Sequence, residues 1–475
     1  MSSLSSALSS LLSSSNAADA IDLSSILQAA TGASSSGIDV TAAVNAAVTA
    51  ARAPETTWQT EITTLSTQTS DLNTIQSAAT ALDNDLVSLN SITGALTGVT
   101  VTSSNSSIAT ASGVSGSVAG NDTVVVTSLA STASYASTAV TDSTTDLPAG
   151  SLTITPSGGT ATTITIGSGV DTLADLETAI NSSGAGVTAS IVTDASGSRL
   201  AIVSNTSGSA GSFTVASSDG SFGLTPAATG ANAALTVNGI AISSASNTVT
   251  GAIPGVTINL LNASPGTQVN LAVAPNTNAA ATAINQFVSD YNTLIGQLNT
   301  EFSDTGSGQG SLAQDPTVQT LQGDLLGSLS FTTTNGTGTS ATQTSLAALG
   351  ISVNTDGTLT VNTATLNSSL DNNFSQVQNF FQGPSLSGFA GTLHTQLTGF
   401  INPADGAFTV DLQSISAEST GLQTDITNFE ANIIAPLKIQ LQAQFSQAEI
   451  ALQSLPNQIK DVDAELGLNN SSSNG

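Results

Sequence analysis

The side chains of this 475-residue chain that could perform catalysis are few, and their spacing fits no known catalytic arrangement. His394 is the single histidine, and nothing near it in the sequence resembles a triad partner. Two carboxylates would suffice for a glycosidase. However, one tryptophan and two tyrosines supply few of the aromatic platforms that usually hold sugars. We therefore expect a protein that is not an enzyme.

Two binding motifs are present only in part. Asp461, Asp463 and Glu465 alternate as in a calcium loop. The glycine that such a loop needs comes one position late, at Gly467, and no glutamate follows at the twelfth position. These three acids are more typical of a solvent-exposed helix end than of a calcium site. The glycines at 306, 308 and 310 follow no buried strand and precede no lysine, so they favour a flexible linker over a phosphate loop. We expect no cofactor and no metal.

The charge balance excludes two classes of partner. The chain carries 32 acidic and four basic residues, with a formal net charge of −28. Nucleic acids and anionic membranes are bound by clustered lysine and arginine. The four cations are scattered, so neither partner is expected; they are Arg52, Arg199, Lys438 and Lys460. The lack of cysteine excludes disulfides, thiolate zinc sites and thiol nucleophiles.

No export or membrane signal is visible in the sequence. The leucines between Leu4 and Leu12 follow no positively charged segment, as a cleaved signal peptide would require. No apolar run approaches the roughly 20 residues of a membrane-spanning helix. If the protein is exported, its route reads no cleaved peptide.

Two helical segments with heptad spacing lie on either side of a long Ser/Thr/Gly-rich region. They run from about Trp58 to Leu89 and from about Leu422 to Leu455. Neither can bury its apolar seam alone, so we expect them to form a helical leg. Pro436 should kink or interrupt the second segment, and Pro456 should end it or kink it again. The predicted packing residues are Trp58, Ile62, Leu65, Ile426, Phe429, Leu441 and Phe445.

The outer ends of both segments carry weaker apolar stripes. Such stripes are typical of a disordered terminus or of a helix that folds only against neighbouring subunits. We expect the middle of each seam to pack within the chain and the extreme ends to pack between subunits. The predicted interaction residues are Leu4, Leu8, Leu11, Ile26, Leu27, Leu452 and Leu455.

The region between the segments has the period of two that predicts β-strands. Short Val/Ile/Thr runs begin near Val99, and Asn238–Gly239 is typical of a hairpin turn. One short helix interrupts them, with Leu173 on its apolar face and Asp171 or Thr172 as the N-cap. Helices return at Ala279–Leu298 and beyond. The fold class is therefore α+β and multidomain: a helical coiled-coil or bundle leg from both chain ends, with two β-rich head domains between.

Several short motifs follow one another in a distinctive order along the chain. They are Ser36-Gly37-Ile38-Asp39-Val40, Ala51-Arg52-Ala53-Pro54, Phe287-Val288-x-x-Tyr291-Asn292, Leu349-Gly350-Ile351 with Asp356-Gly357-Thr358-Leu359, and Leu441-x-x-Gln444-Phe445. This order resembles the flagellar hook-associated protein 2 family, the filament cap proteins. Residues Thr172–Asn181, Gly186–Ser190 and Arg199–Leu200 resemble the flagellin IN module.

The resemblance implies a domain plan and a function. Residues 1–40 and 456–475 would insert into the filament, residues 41–98 and 278–455 would form the leg, residues 99–133 and 229–277 a head domain, and residues 134–228 a second, inserted head domain. Such proteins form a ring, commonly of five subunits, at the filament tip, where they promote folding and insertion of flagellin. Flagellin, hook–filament junction proteins and a type III export chaperone are the implied partners.

Two other functions remain open on the sequence alone. Another flagellar axial protein, such as a flagellin or a junction protein, would share the IN module and helical ends but should lack the motif order. A surface adhesin would need neither helical end. Adhesion by the head itself is a further possibility that the sequence does not test.

Overall fold

The computed structural model describes residues 39–218, 223–303, 308–335 and 342–465. Along the sequence, most helices lie in the N-terminal and C-terminal parts of the chain, and most strands lie between these parts. In chain order the helices are α1 (Val40–Ala51), α2 (Ala53–Asn90), α3 (Leu173–Ser182), α4 (Thr277–Phe302), α5 (Pro316–Ser328), α6 (Thr363–Phe381), α7 (Phe389–Ile401), α8 (Ala407–Phe429) and α9 (Ala435–Glu465).

The strands are short, and they all pair antiparallel. They are β1 (Val99–Ser103), β2 (Ala109–Gly113), β3 (Gly120–Ser128), β4 (Thr132–Ala136), β5 (Gly150–Pro156), β6 (Thr162–Ile166), β7 (Val187–Asp194), β8 (Gly197–Ser207), β9 (Phe213–Ser217), β10 (Thr225–Ala228), β11 (Ala233–Val237), β12 (Ile240–Ser244), β13 (Thr248–Ile253), β14 (Val256–Leu260), β15 (Val269–Pro275), β16 (Thr333–Asn335), β17 (Thr342–Thr344), β18 (Ile351–Val353) and β19 (Leu359–Val361).

The helical core joins the C-terminal half of α2 to the helices that follow the β region. Leu72, Leu82 and Leu89 of α2 are fully or almost fully buried against α4 and α7. Pro54 stands in the first turn of α2, where its missing N–H costs no hydrogen bond. At the other end the buried Gln382 amide donates to the carbonyls of Leu89 and Ser91, both at 3.0 Å, and so satisfies the helix terminus.

The first β unit, here called the sandwich, is built from strands on both sides of an insertion. A five-stranded sheet in the order β1-β15-β3-β11-β12 shares one core with the sheet β13-β14-β2. Alternate side chains such as Val124 and Val126 face this core, as the period of two predicts. The predicted turn closes the β11–β12 hairpin, with φ of 53° at Asn238 and 81° at Gly239.

The insertion forms a second β unit with its own core. Its sheets run β10-β4-β8-β7 and β6-β5-β9, and α3 packs mainly on β7. Thr172 is the N-cap of α3, since its hydroxyl oxygen accepts the Asp175 N–H at 3.2 Å. Of the two N-cap candidates in the sequence, the structure therefore selects the threonine.

The returning helical segment is interrupted just before Pro436. A π-helical turn at Glu430–Ile434 separates α8 from α9, and the Ala435 N–H reaches back to the Glu430 carbonyl. Pro436 has no N–H and its ring would clash with the carbonyl four residues earlier in a regular helix, so the wider turn accommodates it. The expectation that Pro456 could end the helix is wrong: α9 continues through it to Glu465.

Candidate functional site

The terminal helices α1 and α9 form a small hydrophobic cluster apart from the helical core. Asp39 begins α1 by accepting the Ala42 N–H at 2.9 Å. The buried members of the cluster are Ala43, Val44, Ala47 and Val48 of α1, with Ile434, Leu441 and Phe445 from the returning chain. Leu441 and Phe445 therefore pack on α1 and not on the first turns of α2. They follow the π-helical turn in the chain, whereas the helix that faces α2 is α8, which precedes this turn.

Arg52 is the single residue between α1 and α2, and it binds across to the start of the π-helical turn. Its guanidinium lies 2.7 Å from a Glu430 carboxylate oxygen and 3.4 Å from one of Glu55. Burial, and then the hydrogen bond and repulsion from Glu430, raise the pKa of Glu55. One cation thus holds two acids together where both helical segments are interrupted.

The remaining predicted leg residues lie beyond this junction, between α2 and α8. The Trp58 ring meets the Phe429 ring edge-on, with centroids 5.5 Å apart. Leu65 and Ile426 are buried, and Ile62 is half-buried. Among the described residues, α2 and α8 are the two helices that meet here, so each seam is covered on one side.

Beyond Phe445 the apolar seam of α9 continues with the same spacing, but it is exposed. Leu452 is 44% exposed, Leu455 45%, Ile459 54% and Val462 50%. Within the described residues α9 has no packing partner along this stretch. Leu4, Leu8, Leu11, Ile26 and Leu27 lie outside the described residues.

His394, the single histidine, pairs with an acid that lies far from it in the sequence. Its Nδ1 atom lies 2.6 Å from Asp83 Oδ1, which ties α7 to α2 across 311 residues of sequence. Among the described residues, no hydroxyl group forms a hydrogen bond with the imidazole. In the same part, no group of three or more His, Asp or Glu side chains is placed to hold a metal ion.

Two carboxyl groups face each other between α2 and α4. Burial, and then the hydrogen bond and repulsion from Asp290, raise the pKa of Asp85 to about 6. Asp290 also accepts a hydrogen bond from the Gln286 amide at 3.1 Å. No sequence signal connected these acids, because they come from different elements.

Replacing Asp85 with asparagine should remove one cause of the pH dependence of folding stability. An aspartate in an unfolded chain has a pKa of about 3.9, so the folded protein holds this proton more tightly. Stability should therefore fall as the pH rises from about 4 to about 6 and stay low above that range. We expect Asp85→Asn to be more stable than wild type at about pH 7 and close to it at about pH 4.

Urea unfolding followed by circular dichroism across this range measures the effect. Asp371→Asn, at an exposed position on α6, is the control and should follow the wild-type curve. Equal pH profiles for Asp85→Asn and wild type would contradict the raised pKa of Asp85.

Three models of known protein families match this chain, and their matches lie in the same order as the motifs. The family model of the flagellar hook-associated protein 2 N-terminus matches residues 36–133, and that of its C-terminus matches residues 230–457. Between them, the flagellin hook IN motif matches residues 151–206. The chain belongs to the flagellar hook-associated protein 2 family. No protein with a curated description matches it.

A solved structure of a flagellar cap protein agrees with the fold, and a second relative matches a smaller part of the chain. The crystal structure of the flagellar cap protein FliD D1-D2-D3 domains from Escherichia coli is 27% identical, covers 74% of this chain and 99% of its own, and has a TM-score of 0.58. FliD (HAP2) from Pseudomonas aeruginosa PAO1 is 30% identical over 42% of this chain and 98% of its own, with a TM-score of 0.37. The predicted α+β multidomain fold is confirmed.

Two of the motifs that carried the resemblance to hook-associated protein 2 bind each other. Asn292 on α4 accepts the Leu359 N–H at 2.6 Å and donates to the Leu359 carbonyl at 2.8 Å. The turn before Leu359 is held by Asp356, which accepts the Thr358 N–H at 3.0 Å. Gly357 in that turn has φ of 83°, a conformation that favours glycine. These motifs thus fix the β18–β19 hairpin against α4.

Proposed function

We propose that this chain is a structural subunit of the cap at the tip of the bacterial flagellar filament, where it promotes folding and insertion of exported flagellin. The observation that carries the proposal is the match of both halves of the family model, in order, on a fold shared with the E. coli flagellar cap protein. The subunit acts by position and contact, without catalysis.

The cap is a ring of copies of this chain, commonly five, outside the cell. The subunits leave through the flagellar type III route, with a chaperone, and meet flagellin and the hook–filament junction proteins. In the domain plan proposed here, residues 41–98 and 278–455 form the leg, residues 99–133 and 229–277 the head, residues 134–228 the inserted head domain, and residues 1–40 and 456–475 the filament-inserting region. Among the described helices, none combines the length and the hydrophobicity that a membrane-spanning segment needs.

The exposed seam of α9 supports a contact with the filament. An apolar helical face is unfavourable in water, and a cap that steps forward as flagellin is added needs contacts that form and break. We assign this contact to Leu452 and Leu455 together with Leu4, Leu8, Leu11, Ile26 and Leu27.

Placing charge on this seam should weaken the attachment of the cap. We expect the double variant Leu452→Glu/Leu455→Glu to be exported and folded but to yield short or absent filaments, since each glutamate would have to lose its hydration at an apolar contact. Filament length on complemented deletion cells, measured by electron microscopy, provides the test.

The matched control adds the same two charges elsewhere on α9. Gln447→Glu/Asn457→Glu alters exposed residues off the seam and should leave filament length unchanged. Filaments of normal length from the seam variant would refute this assignment without affecting the capping function itself.

Electron microscopy of the purified protein separates the cap from another axial protein. A cap should give closed rings or small particles of fixed size, because its subunit contacts close on themselves. Long filaments would instead indicate a flagellin.

A further inference from the structure

The sandwich is almost free of charge in a chain that is otherwise strongly acidic. Its eight strands carry one charged residue, Asp122, and the Asn238 amide donates to its carboxylate at 2.8 Å. No charged residue occurs between positions 220 and 289 of the sequence. Two copies of a chain with net charge −28 repel each other over most of their surface. The sandwich is where that repulsion is weakest.

One edge of the sandwich is open to pairing. β12 is the outermost strand of the five-stranded sheet, and it pairs only with β11 among the described residues. Since Val237 and Ile240 close a two-residue hairpin, the N–H and carbonyl groups of Ala241 and Ser243 point away from β11. Ile240 is 69% exposed on this strand.

Three of the other sheet edges carry features that discourage pairing. β10 contains Pro226 and a register shift, and β13 has a shift at Gly251, where φ is 76°. β7 packs against α3 and ends at Asp194. By contrast, β12 pairs with β11 over five consecutive residues without a shift and has no proline or charge. Such an uncharged edge with an unbroken register is the kind that accepts another strand.

We propose that β12 pairs antiparallel with β12 of a second copy of this chain. Because antiparallel pairing of one strand with itself is two-fold symmetric, Ile242 faces Ile242 of the other copy and Ala241 faces Ser243. The backbone groups of Ala241 and Ser243 then find partners, and two five-stranded sheets become one. A two-fold contact closes on itself, so it joins two copies or two rings and does not extend a ring. The proposal goes beyond the capping function and does not depend on it.

Cysteine crosslinking tests this register directly, since the chain has no cysteine of its own. Ile242→Cys places two thiols opposite each other at the non-hydrogen-bonded centre of the pair, where the strands approach most closely. Val118→Cys is the control, because Val118 lies between β2 and β3 and is 77% exposed. It measures the rate at which thiols on two copies crosslink by random collision. Under mild oxidation of the full chain, we expect dimer from Ile242→Cys to form about tenfold faster or more, because pairing raises the local thiol concentration.

Two second-site variants keep the test specific to strand pairing. Ala241→Pro removes an N–H that β11 does not use, and Ile240→Glu places a charge on an exposed side chain. Each should return crosslinking of Ile242→Cys to the collision rate, while circular dichroism stays unchanged. Added salt should speed crosslinking of Ile242→Cys by screening the net charge. Equal rates for Ile242→Cys and Val118→Cys, or no slowing by Ile240→Glu in folded protein, would overturn the proposal.

Discussion

Phe287→Ala is expected to lower the free energy of unfolding of the helical core by about 3–5 kcal/mol. Phe287 is fully buried on α4, and its ring meets those of Tyr291, Phe381 and Phe389 at centroid distances of 6.2, 6.2 and 5.6 Å. These rings belong to α4, α6 and α7, so the substitution leaves a cavity where three helices meet. Urea unfolding followed by far-UV circular dichroism measures the loss.

Tyr291→Phe is the matched control, one helical turn from Phe287. The Tyr291 side chain is fully buried, and its hydroxyl has no hydrogen-bond partner among the described residues. Burial raises the pKa of this hydroxyl far above its usual range, so it stays neutral. Removing it leaves no group unpaired, and stability should be unchanged or higher. A loss below about 1 kcal/mol for Phe287→Ala would mean that the aromatic cluster does not hold the helices together.

Leu65→Asp is expected to cost several kcal/mol, in the range of about 3–5 kcal/mol, if α2 and α8 pack as a pair in solution. Leu65 is buried on the two-helix part of the leg, between the Trp58–Phe429 ring contact and the helical core. An aspartate there would be dehydrated with no cation described beside it. The midpoint of urea unfolding and the fluorescence of Trp58, the single tryptophan, report the change.

Thr64→Asp adds the same charge one residue away on the exposed face of α2. The Thr64 hydroxyl donates to the Thr60 carbonyl of its own helix at 3.2 Å, so its loss breaks no contact between helices. We expect a change within about 0.5 kcal/mol. Similar unfolding midpoints for Leu65→Asp and wild type would show that this part of α2 does not pack against α8.

Periodicity in the sequence predicted the fold class and the longest helices, but it did not predict α7 or the β16–β17 hairpin. Heptad spacing predicted the helices of the leg, a period of two predicted the sandwich strands, and Asn238–Gly239 predicted the hairpin turn. These signals are local, since they depend on which face of an element is apolar. They can therefore be recognised in the sequence without any knowledge of the neighbouring elements.

Contacts between distant elements could not be read from those patterns. The sequence marked Leu441 and Phe445 as buried, but only the fold shows that α1 covers them. The pairing of His394 with Asp83 likewise depends on how two helices cross. The effect of Pro436 was foreseen as an interruption, whereas its form, a π-helical turn, depends on the packing around it. Periodicity identifies a buried face and leaves its partner undetermined.

Deletion of the gene, followed by assay of flagellin in the growth medium, tests the capping function most directly. We expect cells without filaments that release monomeric flagellin into the medium, with both defects reversed by the wild-type gene. Deletion cells that retain filaments of normal length and release no flagellin would contradict it.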